Sequence, residues 1–237
     1  MDIQNAVALV TGANRGLGRH LAAELLGRGA RKVYAAARRP STVDLPGVVP
    51  LQLDITDPAS VANAAAVASD TTLLINNAGV STNAGLIHGD IADIRLEMET
   101  NFFGSLGVTR AFAPVITANG GGAVLNILSV LSWAHYPRHG GYSAAKAAEW
   151  GMTNVIRQEL APAGIDVTAL HVGYMDTDMA EHADRSEKVD PAWVAGLALD
   201  GVQTRALEVI ADDRSRAVKA ALSGGLDRLY PALPVAH

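Results

Sequence analysis

An apolar run at Ala6–Thr11 leads straight into Gly12-x-x-x-Gly16-x-Gly18, and a helical pattern then extends from Gly16 to Arg28. Few folds have a use for such a junction. The glycines let the backbone bend sharply and approach a ligand closely, while the helix turns free N–H groups and the positive end of its dipole toward the turn. Strand, glycine turn and helix in this order open a nucleotide-binding unit of a parallel sheet, with a pyrophosphate at the helix N-terminus. Asn14, Arg15 and Leu17 stand between the glycines and join Gly12, Gly16 and Gly18 as expected cofactor-binding residues.

The rest of the chain repeats the alternation. β-rich runs at Lys32–Ala37, Val48–Leu53, Thr72–Asn76, Ala123–Leu128 and Ile165–Leu170 are separated by helical stretches after Asp57, after Asp90 and from Tyr142 to about Leu160. These runs are mostly apolar on both faces, as strands are when helices cover each side of a sheet. The expected class is α/β: a doubly wound parallel sheet of Rossmann type with helices on both faces. Asp57-Pro58 and Asp190-Pro191 each place a capping carboxylate before a proline suited to the first helical position. Gly27, Gly29 and Gly164 are natural helix stops. The segment from Arg38 to Gly47 is too short for a crossover helix and predicts only a turn or two. Gly120-Gly121-Gly122 forms a loop, but no repeat or low-complexity linker divides the 237 residues, so 1–237 is read as one domain.

Composition narrows the partners. A hydrophobic content of 49% is ample for a buried core. The net charge of −5, with scattered basic residues, gives no footprint for nucleic acid, which leaves a small molecule. Cysteine is absent, which excludes disulfides, thiolate nucleophiles and zinc–thiolate sites. Met1-Asp2-Ile3-Gln4-Asn5 carries no basic leader, and no run approaches the ~18 apolar residues of a membrane span, so the expected location is cytoplasmic, away from membranes.

The second strand ends in Ala36-Ala37-Arg38-Arg39, without the Asp or Glu that would accept hydrogen bonds from a ribose 2′-hydroxyl. Arg38 offers a planar guanidinium for a 2′-phosphate, and Arg15 is expected to reach the same region. NADP(H) is therefore favoured over NAD(H).

Further along, Tyr142 and Lys146 stand four residues apart in Gly-Tyr-Ser-Ala-Ala-Lys, thirteen residues after Ser129 in Asn-Ile-Leu-Ser. Asp54 occurs in Leu-Asp-Ile-Thr, Asn101 in Thr-Asn-Phe-Phe-Gly, and Asn76-Asn77-Ala78-Gly79 and Gly173 through Thr177 complete the set. In this order and spacing the chain resembles the classical short-chain dehydrogenases/reductases from about Val7 to Thr177. The resemblance implies a catalytic tetrad of Asn101, Ser129, Tyr142 and Lys146. It implies that Asp54 and Ile55 meet the adenine, that Asn77, Ala78 and Gly79 line the nucleotide cleft, and that Gly173, Met175 and Thr177 adjoin the nicotinamide, Thr177 holding its carboxamide. Lys146 would also bind the nicotinamide ribose, so Tyr142 and Lys146 count among the cofactor contacts.

The chemistry suits these residue types. Reduction of a carbonyl needs hydride from a nicotinamide and a proton for the developing alkoxide, and a tyrosine can give or take that proton. Lys146 shares a helical face with Tyr142, and its ammonium favours the phenolate. Ser129 would hydrogen-bond the carbonyl oxygen as charge develops. The reading is an NADP(H)-dependent oxidoreductase that reduces a hydrophobic ketone or aldehyde. The alternatives are a 3-oxoacyl reductase and a dinucleotide-sensing regulator without turnover.

Three departures from the family pattern stand out. His171-Val172-Gly173 replaces the usual Pro-Gly after the sixth strand, Leu128 replaces a common second serine, and Ser215–Leu222 reads as helix with no final strand evident. A homodimer or homotetramer is expected, with Ala144, Ala145, Ala147 and Ala148 small enough for close helix approach. Trp133, Tyr136, Met175, Met179 and Trp193 are expected around the substrate, with residues 176–200 as a mobile apolar lid. That lid favours aromatic or apolar carbonyl compounds over sugars and charged acids. A serine hydrolase built on Ser129, His171 and Asp176 lacks the Gly-x-Ser-x-Gly elbow. Zinc at His135 and His139 meets Pro137 between them and has no third ligand.

Overall fold

The computed structural model describes residues 1–181 and 183–230. Seven parallel strands form one sheet: β1 (Val7–Thr11), β2 (Lys32–Ala37), β3 (Val49–Gln52), β4 (Leu73–Asn76), β5 (Gly122–Ile127), β6 (Ile165–His171) and β7 (Glu208–Ile210). Their order is β3-β2-β1-β4-β5-β6-β7. The chain leaves β1 first to one side and later to the other, so a crevice opens at the C-terminal ends of β1 and β4, where ligands bind in such sheets.

Alternation along the strands sends successive side chains to opposite faces. Ala8, Val10, Val33, Ala35, Leu73 and Ile75 pack on one face with Leu17, Leu21 and Leu25 of α1 (Gly16–Gly27) and Val194, Ala198 and Leu199 of α6 (Pro191–Thr204). Val7, Leu9, Ala36, Leu74 and Val124 pack on the other with residues of α2 (Pro58–Val67), α4 (Ser105–Ala118) and α5 (Gly140–Leu160), among them Val61, Phe112 and Met152. Helix starts follow the carboxylate caps: Asp57, Asp90 and Asp190 accept from the backbone N–H of Ala59, Ala92 and Ala192, opening α2, α3 (Ile91–Met98) and α6. The short segment after β2 forms a single 3₁₀ turn at Pro40–Thr42.

Three parts of the sequence reading change. The long helix expected after Asp90 is interrupted by a π-helical turn at Glu99–Gly104, which separates α3 from α4. A final strand does exist: β7 pairs with β6 through Ala169–Glu208, Leu170–Val209 and His171–Ile210. At three residues it is too short to leave a periodic signal, and α7 (Asp213–Ala221) and α8 (Leu226–Leu229) follow it. The expected lid also shortens. Residues 191–199 belong to α6, whose Val194, Ala195, Ala198 and Leu199 are fully buried, and of the expected lid Thr177, Asp178, Met179 and Ala180 line the cleft.

Candidate active site

A cleft of about 480 Å³ runs along the crevice. At its first end, Gly12 has φ +65 and an added Cβ would meet Ala78 Cα at 3.0 Å, while a Cβ on Gly18 would collide with the Gly12 carbonyl. The turn is thus pressed against the loop after β4. Thr11 clamps the two together: its Oγ1 accepts from Asn77 N and Ala78 N, both at 2.9 Å, and Asn77 Nδ2 donates to Thr11 O at 2.8 Å. Gly12, Asn14, Arg15, Gly16 and Leu17 line the cleft opposite Asn77, Ala78 and Gly79, whereas Gly18 is buried behind the turn as a packing residue. This cradle admits a phosphate because nothing larger than hydrogen occupies the glycine positions.

Farther along, Ala37, Arg38, Asp54 and Ile55 form the next wall. Asp54 Oδ1 accepts from Thr56 N at 3.0 Å and Thr56 Oγ1 at 2.7 Å, and with help from Arg38 this holds its carboxyl below the usual range. Arg15 lines the same cleft as Arg38 but is paired elsewhere. Its Nη1 meets Asp178 Oδ2 at 2.9 Å across the cleft, in a pair exposed on both sides and readily exchanged for another anion. Gly173, Met175 and Thr177 close the opposite wall.

At the far end, Ser129, Tyr142 and Lys146 meet. Ser129 and Tyr142 also line a smaller chamber beyond this end. Burial pushes the Tyr142 phenol above its ordinary value, and Lys146 opposes that rise. Lys146 Nζ lies 5.9 Å from the Tyr142 ring centroid, donates to Ile127 O at 2.8 Å and pairs with Glu149 Oε2 at 2.6 Å. Although burial works against the ammonium, Glu149 and Tyr142 raise its pKa above the ordinary lysine value.

Asn101 lies behind the wall rather than on it. Fully buried in the π turn, it donates through Nδ2 to Val80 O (2.9 Å) and Glu97 O (2.8 Å) and accepts at Oδ1 from Val80 N (3.1 Å). Its amide therefore fixes the loop after β4, and a π turn is a common device where a helix must yield to a site.

Trp133 and Trp193 do not reach the cleft, contrary to the sequence reading. Trp133 is buried, stacked on His171 at 3.7 Å between ring centroids, and Trp193 sits half-exposed on α6. Burying an indole against a ring in the core is the more favourable use of its area. Tyr136 and Met179 do face the site, in a smaller chamber beyond Ser129 and Tyr142. Sequence reasoning missed Glu149 and Glu97, though both stand at helical spacings from tetrad residues, and it missed Tyr174 and Arg214 in that chamber.

Other chemistries lose their geometry. His171 Nδ1 faces the Ser129 backbone carbonyl at 3.3 Å rather than the hydroxyl, and Asp176 pairs with Lys188, so no hydrolase triad forms. His135 Nδ1 meets the Tyr230 hydroxyl at 2.9 Å. Among the described residues no three His, Cys, Asp or Glu side chains group as metal ligands.

The short chain dehydrogenase family model matches residues 6–188, from the first strand to the stretch over the crevice. The chain belongs to the short-chain dehydrogenases. A Burkholderia cenocepacia J2315 short chain dehydrogenase, solved in complex with NADP, superposes with a TM-score of 0.93 at 38% identity, covering 99% of this chain and 100% of that one. A Synechocystis 3-oxoacyl-[acyl-carrier-protein] reductase is 34% identical over 74% of this chain and 76% of its own length. Dehydrogenase/reductase SDR family member 7B of Xenopus tropicalis is 30% identical over 76% of this chain, which spans 64% of that relative's length. Among the described residues of this short-chain dehydrogenase, no helix is long and apolar enough to cross a membrane.

Proposed function

We propose that this short-chain dehydrogenase reduces a ketone or aldehyde to the alcohol with NADPH, Tyr142 giving the proton. The observation that carries the reading is the convergence of Ser129, Tyr142 and Lys146 at the end of the cleft, with the Lys146 ammonium 5.9 Å from the Tyr142 ring centroid. When bound, the coenzyme supplies the hydride.

This chain's own residues do the rest. Burial keeps the Tyr142 phenol protonated near neutral pH, the form that reduction requires. Lys146 stabilises the phenolate left after transfer, and Ser129 holds the carbonyl oxygen as it gains charge. An ammonium has three donors; Ile127 O and Glu149 take two, leaving one for a ribose hydroxyl. Asn101 acts as a positioning residue. Arg38 is the 2′-phosphate partner, a reading supported by the NADP in the Burkholderia relative.

Tyr136, Tyr174 and Met179 give the substrate end an aromatic and thioether lining, suited to an aryl or apolar carbonyl compound. A 3-oxoacyl thioester is the second reading, favoured by the name of the Synechocystis relative. We further propose a cytoplasmic homodimer or homotetramer, since Leu96, Phe103 and Val155 leave apolar side chains exposed on α3, the π turn and α5. Ala145 is fully buried within the subunit and takes no part.

The test is NADPH consumption across aryl ketones, aldehydes and oxoacyl thioesters, with Tyr142→Phe as control. The variant should lose at least about 100-fold in kcat while NADPH affinity stays within about twofold, since Tyr142→Phe removes only the hydroxyl. Wild-type turnover in the variant would refute the assignment.

A further inference from the structure

The chamber beyond Ser129 and Tyr142 has a volume of about 70 Å³. If the large cleft takes the coenzyme, as the reductase reading requires, the substituents of a carbonyl held at Tyr142 enter this chamber, and its role as a substrate site rests on that reading. No Asp or Glu lines it among the described residues, and Arg214 brings its only guanidinium or ammonium group.

Arg214 is held in place from three directions. Its guanidinium carbon lies 5.5 Å from the Tyr174 ring centroid and 5.9 Å from that of Tyr136. These rings come from different loops, one after β6 and one before α5, and both faces favour a cation. The start of α7 is tied to the coenzyme side as well: Asp212 Oδ2 accepts from Gly173 N at 2.7 Å, while its Oδ1 accepts from Ser215 N at 2.7 Å. The backbone that carries Arg214 is therefore tied to the loop that closes the nucleotide cleft.

Among the described residues, nearby carboxylates leave its charge largely uncompensated. Asp212 is engaged by Gly173 and Ser215, and Asp213 Oδ1 accepts from Arg216 Nη2 at 2.8 Å. Glu187 Oε1 stands 3.9 Å from Arg214 Nη1, beyond hydrogen-bond distance, with both side chains about half exposed. A pair of that kind is weak and yields to a better-placed anion.

We propose that Arg214 recognises a carboxylate in the substrate chamber, so that the preferred substrates are carbonyl compounds carrying a carboxylate: oxo acids with a flat or apolar body between Tyr136 and Met179. A planar guanidinium matches a carboxylate with two parallel hydrogen bonds, and a chamber this small suits that group better than a phosphate. Charged acids thus become the favoured class, against the expectation drawn from Trp133, Tyr136, Met175, Met179 and Trp193, of which only Tyr136 and Met179 line the chamber.

Two measurements test this. The first is the affinity of benzoate, which cannot be reduced, for the NADP⁺-saturated protein. Arg214→Gln should weaken it about 10- to 100-fold, the range for a hydrogen bond between charged groups, and Arg214→Lys should lie between. Equal affinities in wild type and Arg214→Gln, or no binding to either, would overturn the anion site. The second is the ratio of kcat/KM for phenylglyoxylate to that for its methyl ester. It should exceed one in the wild type and fall about 10- to 100-fold in Arg214→Gln. A ratio below one in the wild type, or the same ratio in both proteins, would also overturn the proposal. Benzoate binding that depends on Arg214 without NADPH consumption on any carbonyl compound would count against the reductase reading instead, leaving the anion site standing.

Discussion

Glu149→Gln probes the least expected part of the site. Glu149 lies three residues after Lys146 on α5 and is 1% exposed, and its Oε2 accepts from Lys146 Nζ at 2.6 Å. The amide keeps the shape and an acceptor but strands a buried ammonium, whose other hydrogen-bond partner is the Ile127 carbonyl. Removing one partner of a buried ion pair costs about 3–5 kcal/mol, and the retained hydrogen bond places this case near 3. At ~2–4 °C per kcal/mol for a chain of this size, Tm should fall by about 6–12 °C. Tyr142 responds in the opposite sense. Burial raises the phenol most and Glu149 adds to that rise, while Lys146 lowers it, so removing the Glu149 charge takes away one of the raising influences and the phenol ionises more readily. Alcohol oxidation, which needs the phenolate, should then rise at lower pH than in the wild type. The assays are thermal unfolding and the pH profile of oxidation. A Tm within about 2 °C of wild type, or a profile displaced to higher pH, would refute the reasoning. Lys146→Met with Glu149→Leu should regain much of the lost stability without activity, because an apolar pair carries no desolvation cost.

Other parts of the site carry their own expected outcomes. Arg38→Asp should narrow or reverse the preference for NADPH over NADH, read as the ratio of kcat/KM values; a wild type that favours NADH would show Arg38 misread. Gly18→Ala should weaken coenzyme binding at least about tenfold in calorimetry, because the added methyl must displace the Gly12 carbonyl that shapes the phosphate turn. His171 is lowered from 6.5 to about 4, chiefly by burial. The unfolded chain takes up that proton below pH 6.5 and the folded one only near pH 4, so stability drops as pH falls through this window, by about 3 kcal/mol for this group. His171→Gln should therefore show a shallower loss of urea-unfolding free energy between pH 7 and 4.5, and parallel curves would exclude the assignment.

Much of the architecture was legible because it is written locally. The run Ala6–Thr11 followed by spaced glycines encodes strand, turn and helix through short-range sterics, and Asp57-Pro58 and Asp190-Pro191 mark helix starts through capping geometry. The order Ser129, Tyr142, Lys146 was likewise legible, since Tyr142 and Lys146 share a helical face whatever surrounds them. The π turn at Asn101 was not, because the same residues continue an α pattern and only the bonds to Val80 and Glu97 reveal the change. Nor was β7, whose three residues become a strand by pairing with β6.

The sequence by itself determined the alternation of strands and helices, the nucleotide turn and the Tyr142–Lys146 spacing, because each depends on neighbours a few residues away. Which side chains meet in the cleft was decided only by the tertiary structure. Trp133 went to a stack on His171, Trp193 to the half-exposed surface of α6, and Arg214 arrived at the chamber beyond Ser129 and Tyr142, beside Tyr136 and Tyr174. Those placements depend on contacts between segments remote in the chain, where burial and charge compensation choose among positions that local pattern leaves equivalent.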